Sequence, residues 1–280
     1  MKQLPEQIID FHVHLFPDKL SAAIWHFFST QYRVEVIHKL YYRECVEYLR
    51  QKGVSPIVYS NYAHKAGVAQ SLNEWNFGVL EEFPDLYCFA PYHPDDDNAL
   101  ALAERVLDHP RVIGFKLQLL VQRFYPHDER LFPLYEMVMD KKKRILFHVG
   151  TGPKKTEFLG LKHFKKVLER YPDIPATIAH MGAREYEGFL NLLDDHPGIY
   201  LDTAFAFIKG LPGIFDLDPA YLEWYKDRIL YGSDFPNLIR HRESEIACLL
   251  DYDLSQEFYD RVFYENAIDL LRESSGVSDL

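Results

Sequence analysis

Short apolar runs alternate with amphipathic stretches along almost the whole chain. The first run, Ile8-Ile9-Asp10-Phe11-His12-Val13-His14, is apolar apart from three polar residues, the composition of a buried strand that ends on two imidazoles. Phe16-Pro17-Asp18 breaks it. Residues 19–52 then read as helical, with Leu20, Ile24, Phe27 and Phe28 on one stripe and a second pass from Tyr41 through Leu49 that stops at Gly53. Further strands are predicted over 54–59, 86–91, 112–117, 144–149, 176–180, 199–203 and 229–234. Between them the spacing predicts helices over 66–83, 98–108, 131–140, 161–170, 187–193 and 218–226, and two more helices close the chain. Eight strands separated by helices, with no linker rich in Pro, Gly or Ser, predict an α/β fold: a single (β/α)8 TIM barrel domain over 1–280. A doubly wound open sheet is the competitor, but no Gly-x-Gly-x-x-Gly turn follows the first strand and a count of eight suits closure.

Composition narrows the partners more than the fold. The 280 residues suffice for one barrel, which commonly takes about 250. A formal net charge of -11 argues against nucleic acid or an anionic membrane as the main partner. The first residues hold no apolar stretch with a small-residue cleavage site, and nowhere do 18 apolar residues run together. The three cysteines, Cys45, Cys88 and Cys248, are scattered, which suits reduced thiols and a cytoplasmic location.

A barrel carries its chemistry at the C-terminal ends of the strands, so polar residues there are the candidates. Strict alternation puts His12 and His14 on one face, with Asp10 on the same face. Lys116 falls on the fourth strand, His148 ends the fifth, His180 the sixth and Asp234 the eighth. Several imidazoles and a carboxylate without cysteine suit zinc, with manganese, iron, cobalt or nickel as other occupants of such a set. The plainer alternative is strand-end histidines bonded to loop carbonyls. Arg123 and Arg240 follow the fourth and eighth strands, where a guanidinium can clamp a carboxylate or simply be solvated. Gly150-Thr151-Gly152-Pro153 gives either backbone access to a substrate or a tight turn, and Tyr92-His93 lies in the loop after the third strand. The remaining histidines, His163 among them, read as surface or helix residues, with His64 and His241 the first to reconsider. The Trp25-Phe27-Phe28 and Tyr221-Trp224-Tyr225 clusters read as packed helix faces, with a lid or a homodimer interface as alternatives.

Asp10-x-His12-x-His14-x-x-Pro17, the strand-end His148 and His180, Gly232-Ser233-Asp234-Phe235-Pro236 and the closing Tyr264-Glu265-Asn266-Ala267-Ile268-Asp269-Leu270-Leu271 together resemble the amidohydrolase superfamily over residues 8–272. The branch most similar contains metal-dependent hydrolases and decarboxylases of the aminocarboxymuconate-semialdehyde and resorcylate type. The resemblance implies that His12, His14, His148 and Asp234 bind one divalent metal, with zinc expected, and that His180 and Asp234 move protons. In part of the superfamily a strand-four lysine is carboxylated and bridges two metals, which would make His180 a ligand. In this branch one metal is usual, leaving Lys116, with Arg123 and Arg240, to bind a substrate carboxylate. The expected activity is attack of a metal-activated water on a small amide, ester or lactone that bears a carboxylate. Decarboxylation of a small acid is the alternative, and a catalytically inactive barrel that only binds is the third.

Overall fold

The computed structural model of the chain describes residues 3–276. Eight parallel strands follow one another in chain order around the sheet: β1 (Ile8–His14), β2 (Val54–Ser60), β3 (Leu86–Pro91), β4 (Val112–Gln118), β5 (Arg144–His148), β6 (Ala176–Ile178), β7 (Ile199–Asp202) and β8 (Ile229–Leu230). The segment just past β8 closes the ring against β1. Phe11 N donates to Tyr231 O at 2.9 Å, Asp234 N to His12 O at 2.7 Å and His14 N to Phe235 O at 2.7 Å. This is the (β/α)8 barrel.

Two irregularities in the strands decide what the interior holds. A regular strand alternates its side chains, so a residue pair that faces the same way marks a bulge. On β1, Ile9 and Phe11 join the apolar cluster inside the barrel, while Ile8 and Val13 pack outward under the helices. The pairing of β1 with β2 slips between Asp10 and Val13, and His12 therefore turns inward next to Phe11. On β4 the slip lies beside Gly114: Ile113 is inside, Phe115 and Leu117 are outside, and Lys116 is inside again. The lower half of the barrel is thus filled by hydrocarbon and the upper half by polar side chains. Ala267, Ile268, Leu270 and Leu271 of the last helix, Asn266–Ser275, pack into the lower cluster.

The elements depart from the predicted bounds where local geometry overrides periodicity. The long helix expected over 19–52 is two, Asp18–Phe27 and Tyr42–Gln51, because Phe28–Tyr32 widens into a π turn and Arg33 enters the left-handed region. β-branched Val34, Val36 and Ile37 then do not resume the helix. The helix expected over 187–193 is Tyr186–Leu190 with a 3-10 turn at Asn191–Leu193, and that over 218–226 shrinks to Ala220–Trp224. β6 ends at Ile178 and β8 at Leu230, each shorter than predicted, because the chain leaves the sheet to form the turns that carry His180 and Asp234. Among the described residues no helix is long and apolar enough to cross a membrane.

Candidate active site

The upper layer of the barrel gathers His12, His14, Lys116, His148, His180 and Asp234. All but Asp234 are buried, Lys116 and His12 completely. Lys116 Nζ lies 3.1 Å from His12 Nε2. Asp234 Oδ1 lies 3.3 Å from His12 Nε2 and 2.9 Å from His14 Nε2. His180 Nε2 is 3.1 Å from His148 Nδ1. Ligand atoms of His12, His180 and Asp234 lie within 4.8 Å of one another.

The outer nitrogen of each ring fixes which inner nitrogen carries a lone pair. His148 Nε2 is 3.0 Å from Gly152 O and His180 Nδ1 is 2.9 Å from Ala204 O; a carbonyl only accepts, so both of those nitrogens carry hydrogen. The Ser60 hydroxyl, 3.3 Å from His14 Nδ1, itself donates to Val13 O, so His14 Nδ1 is the donor there. His12 Nδ1 is 2.9 Å from Asp202 Oδ2, without the alignment of a hydrogen bond, and a carboxylate beside it favours the proton on that nitrogen. Four imidazole lone pairs and the Asp234 carboxylate therefore share the upper layer: those of His12, His180 and Asp234 lie around one small volume, His14 adjoins Asp234 and His148 adjoins His180, and Lys116 alone brings hydrogens. Two of those lone pairs, on His148 and His180, face each other. Such a set suits a divalent cation, whose charge would relieve the repulsion.

The local electrostatics follow from burial. Desolvation holds the His12 and His148 imidazoles well below their usual pKa, with the Lys116 ammonium adding to it for both. Burial also lowers the Lys116 ammonium to about 8. It pushes Asp234 up, and only protonated His14 and His12 rings beside it would more than offset this and hold its carboxyl below the usual range. Backbone strain concentrates at the same place: His180 (φ 59), Phe205 (φ 59) and Asp234 (φ 64) are left-handed without being glycine.

The other predicted residues fall elsewhere. Arg123 caps the short helix Leu119–Gln122 and is exposed; Arg240 is exposed and donates to its neighbour's carbonyl, Ile239 O, at 3.0 Å. Neither touches the buried group. Asp10 does not share a face with His12, because the β1 bulge lies between them. Its carboxylate accepts from Ser233 N at 3.0 Å and Ser233 Oγ at 2.5 Å, bracing the turn before Asp234, and burial raises its pKa to about 6. Gly152 supplies the carbonyl for His148, and Gly150 lies so close to Gly182 that a Cβ there would meet its carbonyl at 2.3 Å. His163 is buried against His127, 3.2 Å away, on the outer side of the barrel. Sequence reasoning missed Asp202, which ends β7 and reaches both His12 and, through Oδ1, the backbone N–H of His180 at 2.9 Å. The rule that picked the other strand ends also fits Asp202.

Comparison with known proteins agrees with this architecture. An uncharacterized TIM-barrel protein of Bordetella bronchiseptica is 19% identical, with a TM-score of 0.76 over 97% of this chain and 100% of that one. A 5-carboxyvanillate decarboxylase of Novosphingobium aromaticivorans, solved with manganese and a nitrobenzoic acid, is 12% identical, with a TM-score of 0.69 over 95% and 96%. A probable 2-pyrone-4,6-dicarboxylic acid hydrolase of Acinetobacter baumannii is 14% identical, with a TM-score of 0.62 over 95% and 99%. At these identities the likeness shows the fold alone. No curated protein sequence matches the chain at a significant level. The amidohydrolase family model matches residues 9–272, and the chain therefore belongs to the amidohydrolase superfamily of metal-dependent enzymes.

Proposed function

We propose that the protein is a metal-dependent hydrolase acting on a small amide, ester or lactone that bears a carboxylate. The observation that carries this reading is the gathering of His12, His180 and Asp234 around one volume at the strand ends, with the lone pairs of His14 and His148 directly beside them. His12, His14, His148 and Asp234 hold one divalent ion; imidazole with carboxylate suits zinc, and manganese, iron, cobalt and nickel fit the same donors. Once bound, the ion supplies Lewis acidity, polarising a substrate oxygen and making a water nucleophilic near neutral pH. Asp234 takes the proton from the attacking water. Asp234 hands it to Nε2 of His180, whose ligand atom lies within 4.8 Å, and His180 delivers it from that nitrogen to the leaving group, because Nδ1 is committed to Ala204 O. Lys116 pairs with the substrate carboxylate once that group displaces its contact with His12. The three cysteines are unpaired, which fits action in the cytoplasm.

The buried ammonium of Lys116 favours one second reading. A carboxylate held there beside the ion could leave as carbon dioxide, with His180 or Asp234 protonating the carbon. Substrate turnover in 18O water separates the two: label enters the organic product of hydrolysis, whereas the lyase evolves carbon dioxide and leaves an organic product without label. The site assignment is tested by elemental analysis of protein purified without chelator. About one metal per chain is expected in the wild type and in His180→Ala, and none in His12→Ala. Loss of metal from His180→Ala, with metal kept in His148→Ala, would exchange the roles of those two residues. Two metals per chain would make Lys116 a carboxylated bridge.

A further inference from the structure

One buried polar group of the upper layer has no part in this account. Gln118 is the last residue of β4, two positions beyond Lys116 on the same inward face, and it pairs in register with His148 on β5. It is only 9% exposed, and its Oε1 is buried with no hydrogen-bond partner. The surrounding structure holds it in place. Gln118 N donates to Gln122 Oε1 at 2.8 Å, and Gln122 Nε2 is clamped by Tyr92 O at 2.8 Å and Ala63 O at 3.0 Å. A buried acceptor left unpaired is destabilising, and such groups are rare unless a ligand completes them.

The walls around the histidines indicate the shape of that ligand. Phe16 stacks on His14 with ring centroids 5.9 Å apart at 13°, Tyr62 meets His14 edge-on at 6.0 Å, and Phe205 meets His180 edge-on at 6.1 Å. Phe16 is buried behind His14, while Tyr62 and Phe205 are partly exposed beside the histidines, and aromatic walls of this kind favour a planar, ring-bearing substrate.

We infer that Gln118 is a specificity-determining residue, whose Oε1 accepts a hydrogen bond from a hydroxyl or amino group on a planar, ring-bearing carboxylate. This rests on the proposed metal site and adds the requirement for a donor. A site with a buried unpaired acceptor penalises the analogue that lacks the donor, because the acceptor then stays unsatisfied.

The test uses metal-loaded protein and four probes: benzoate and 2-, 3- and 4-hydroxybenzoate, titrated by calorimetry. At least one hydroxybenzoate is expected to bind about tenfold or more tightly than benzoate. That gain disappears in Gln118→Met, which keeps the length of the side chain without the amide. It persists in Gln118→Glu, whose carboxylate keeps an acceptor while weakening all four anions alike. The inference is overturned if no hydroxybenzoate outbinds benzoate on the wild type, silence of all four probes included, or if the gain survives Gln118→Met or vanishes in Gln118→Glu. Metal content of the same samples keeps the two failures apart: full metal with no discrimination condemns the role of Gln118 alone, whereas wild type that takes up no metal overturns the site reading as well.

Discussion

Asp202 touches two of the histidines at once, its Oδ2 beside His12 Nδ1 and its Oδ1 on the backbone N–H of His180. An outer carboxylate of this kind fixes the tautomer and the direction of a ligand, and losing it typically weakens metal binding about 10- to 100-fold. Asp202→Asn keeps the shape but not the charge; competition against a chromophoric chelator should show affinity reduced by about that factor. Its melting temperature should stay within a few degrees of wild type. Single residues were the most legible level where a titratable side chain ends a predicted strand, as with His148 and Asp234. The reading failed where the backbone is irregular. Strict alternation put Asp10 beside His12, and nothing in Ile8 to His14 announces the bulge that turns Asp10 towards Ser233 instead. Arg123 and Arg240 show the converse, since a position after a strand does not reveal whether a long side chain bends inward or stays in water.

At the level of elements, β4 and β5 carry two further consequences. Gly114 lets β4 bulge, and a Cβ at that position would sit 1.7 Å from Arg144 O on β5 with φ at 152°. Gly114→Ala should cost at least about 3 kcal/mol in urea unfolding, because backbone rather than a movable side chain is in the way. Lys143, just before β5, is buried at the other end of the barrel and donates to Val112 O at 2.8 Å and Ser274 O at 2.7 Å, tying the last helix to β4. Burial lowers its pKa to about 8 from an ordinary 10.5. The unfolded chain therefore binds the extra proton between those two values, so this contribution to stability rises from pH 8 to 10.5 and falls away as pH drops through 8. Unfolding of wild type and Lys143→Met compared over that range should diverge in favour of wild type by up to about 3 kcal/mol. A flat difference would show that the folded state keeps this ammonium at its ordinary pKa. Element order was readable because each strand is a short apolar run between helical periods. The ends of β6 and β8 were not, since Ala179-His180 and Tyr231-Gly232 look as strand-like as what precedes them.

At the scale of the whole molecule, the last helix is part of the barrel's interior, not an appendage. Four of its side chains enter the lower apolar cluster, and Asn266 Nδ2 donates to Lys226 O at 2.7 Å and Ile229 O at 2.8 Å, fixing the entry to β8. Burial of such side chains contributes about 1.5–3 kcal/mol for each large one, a sum comparable with the whole stability of a typical domain. Deletion from Asn266 onward should abolish the cooperative thermal transition, seen by circular dichroism, and leave the protein insoluble. Left-handed residues above the barrel pull the other way. His180, Phe205 and Asp234 each hold a conformation that costs a side-chain-bearing residue about 1–2 kcal/mol and glycine almost nothing. A mutant library selected for heat resistance alone would therefore drift towards glycine at these three positions, and its hardiest survivors would be the ones that have stopped turning over substrate.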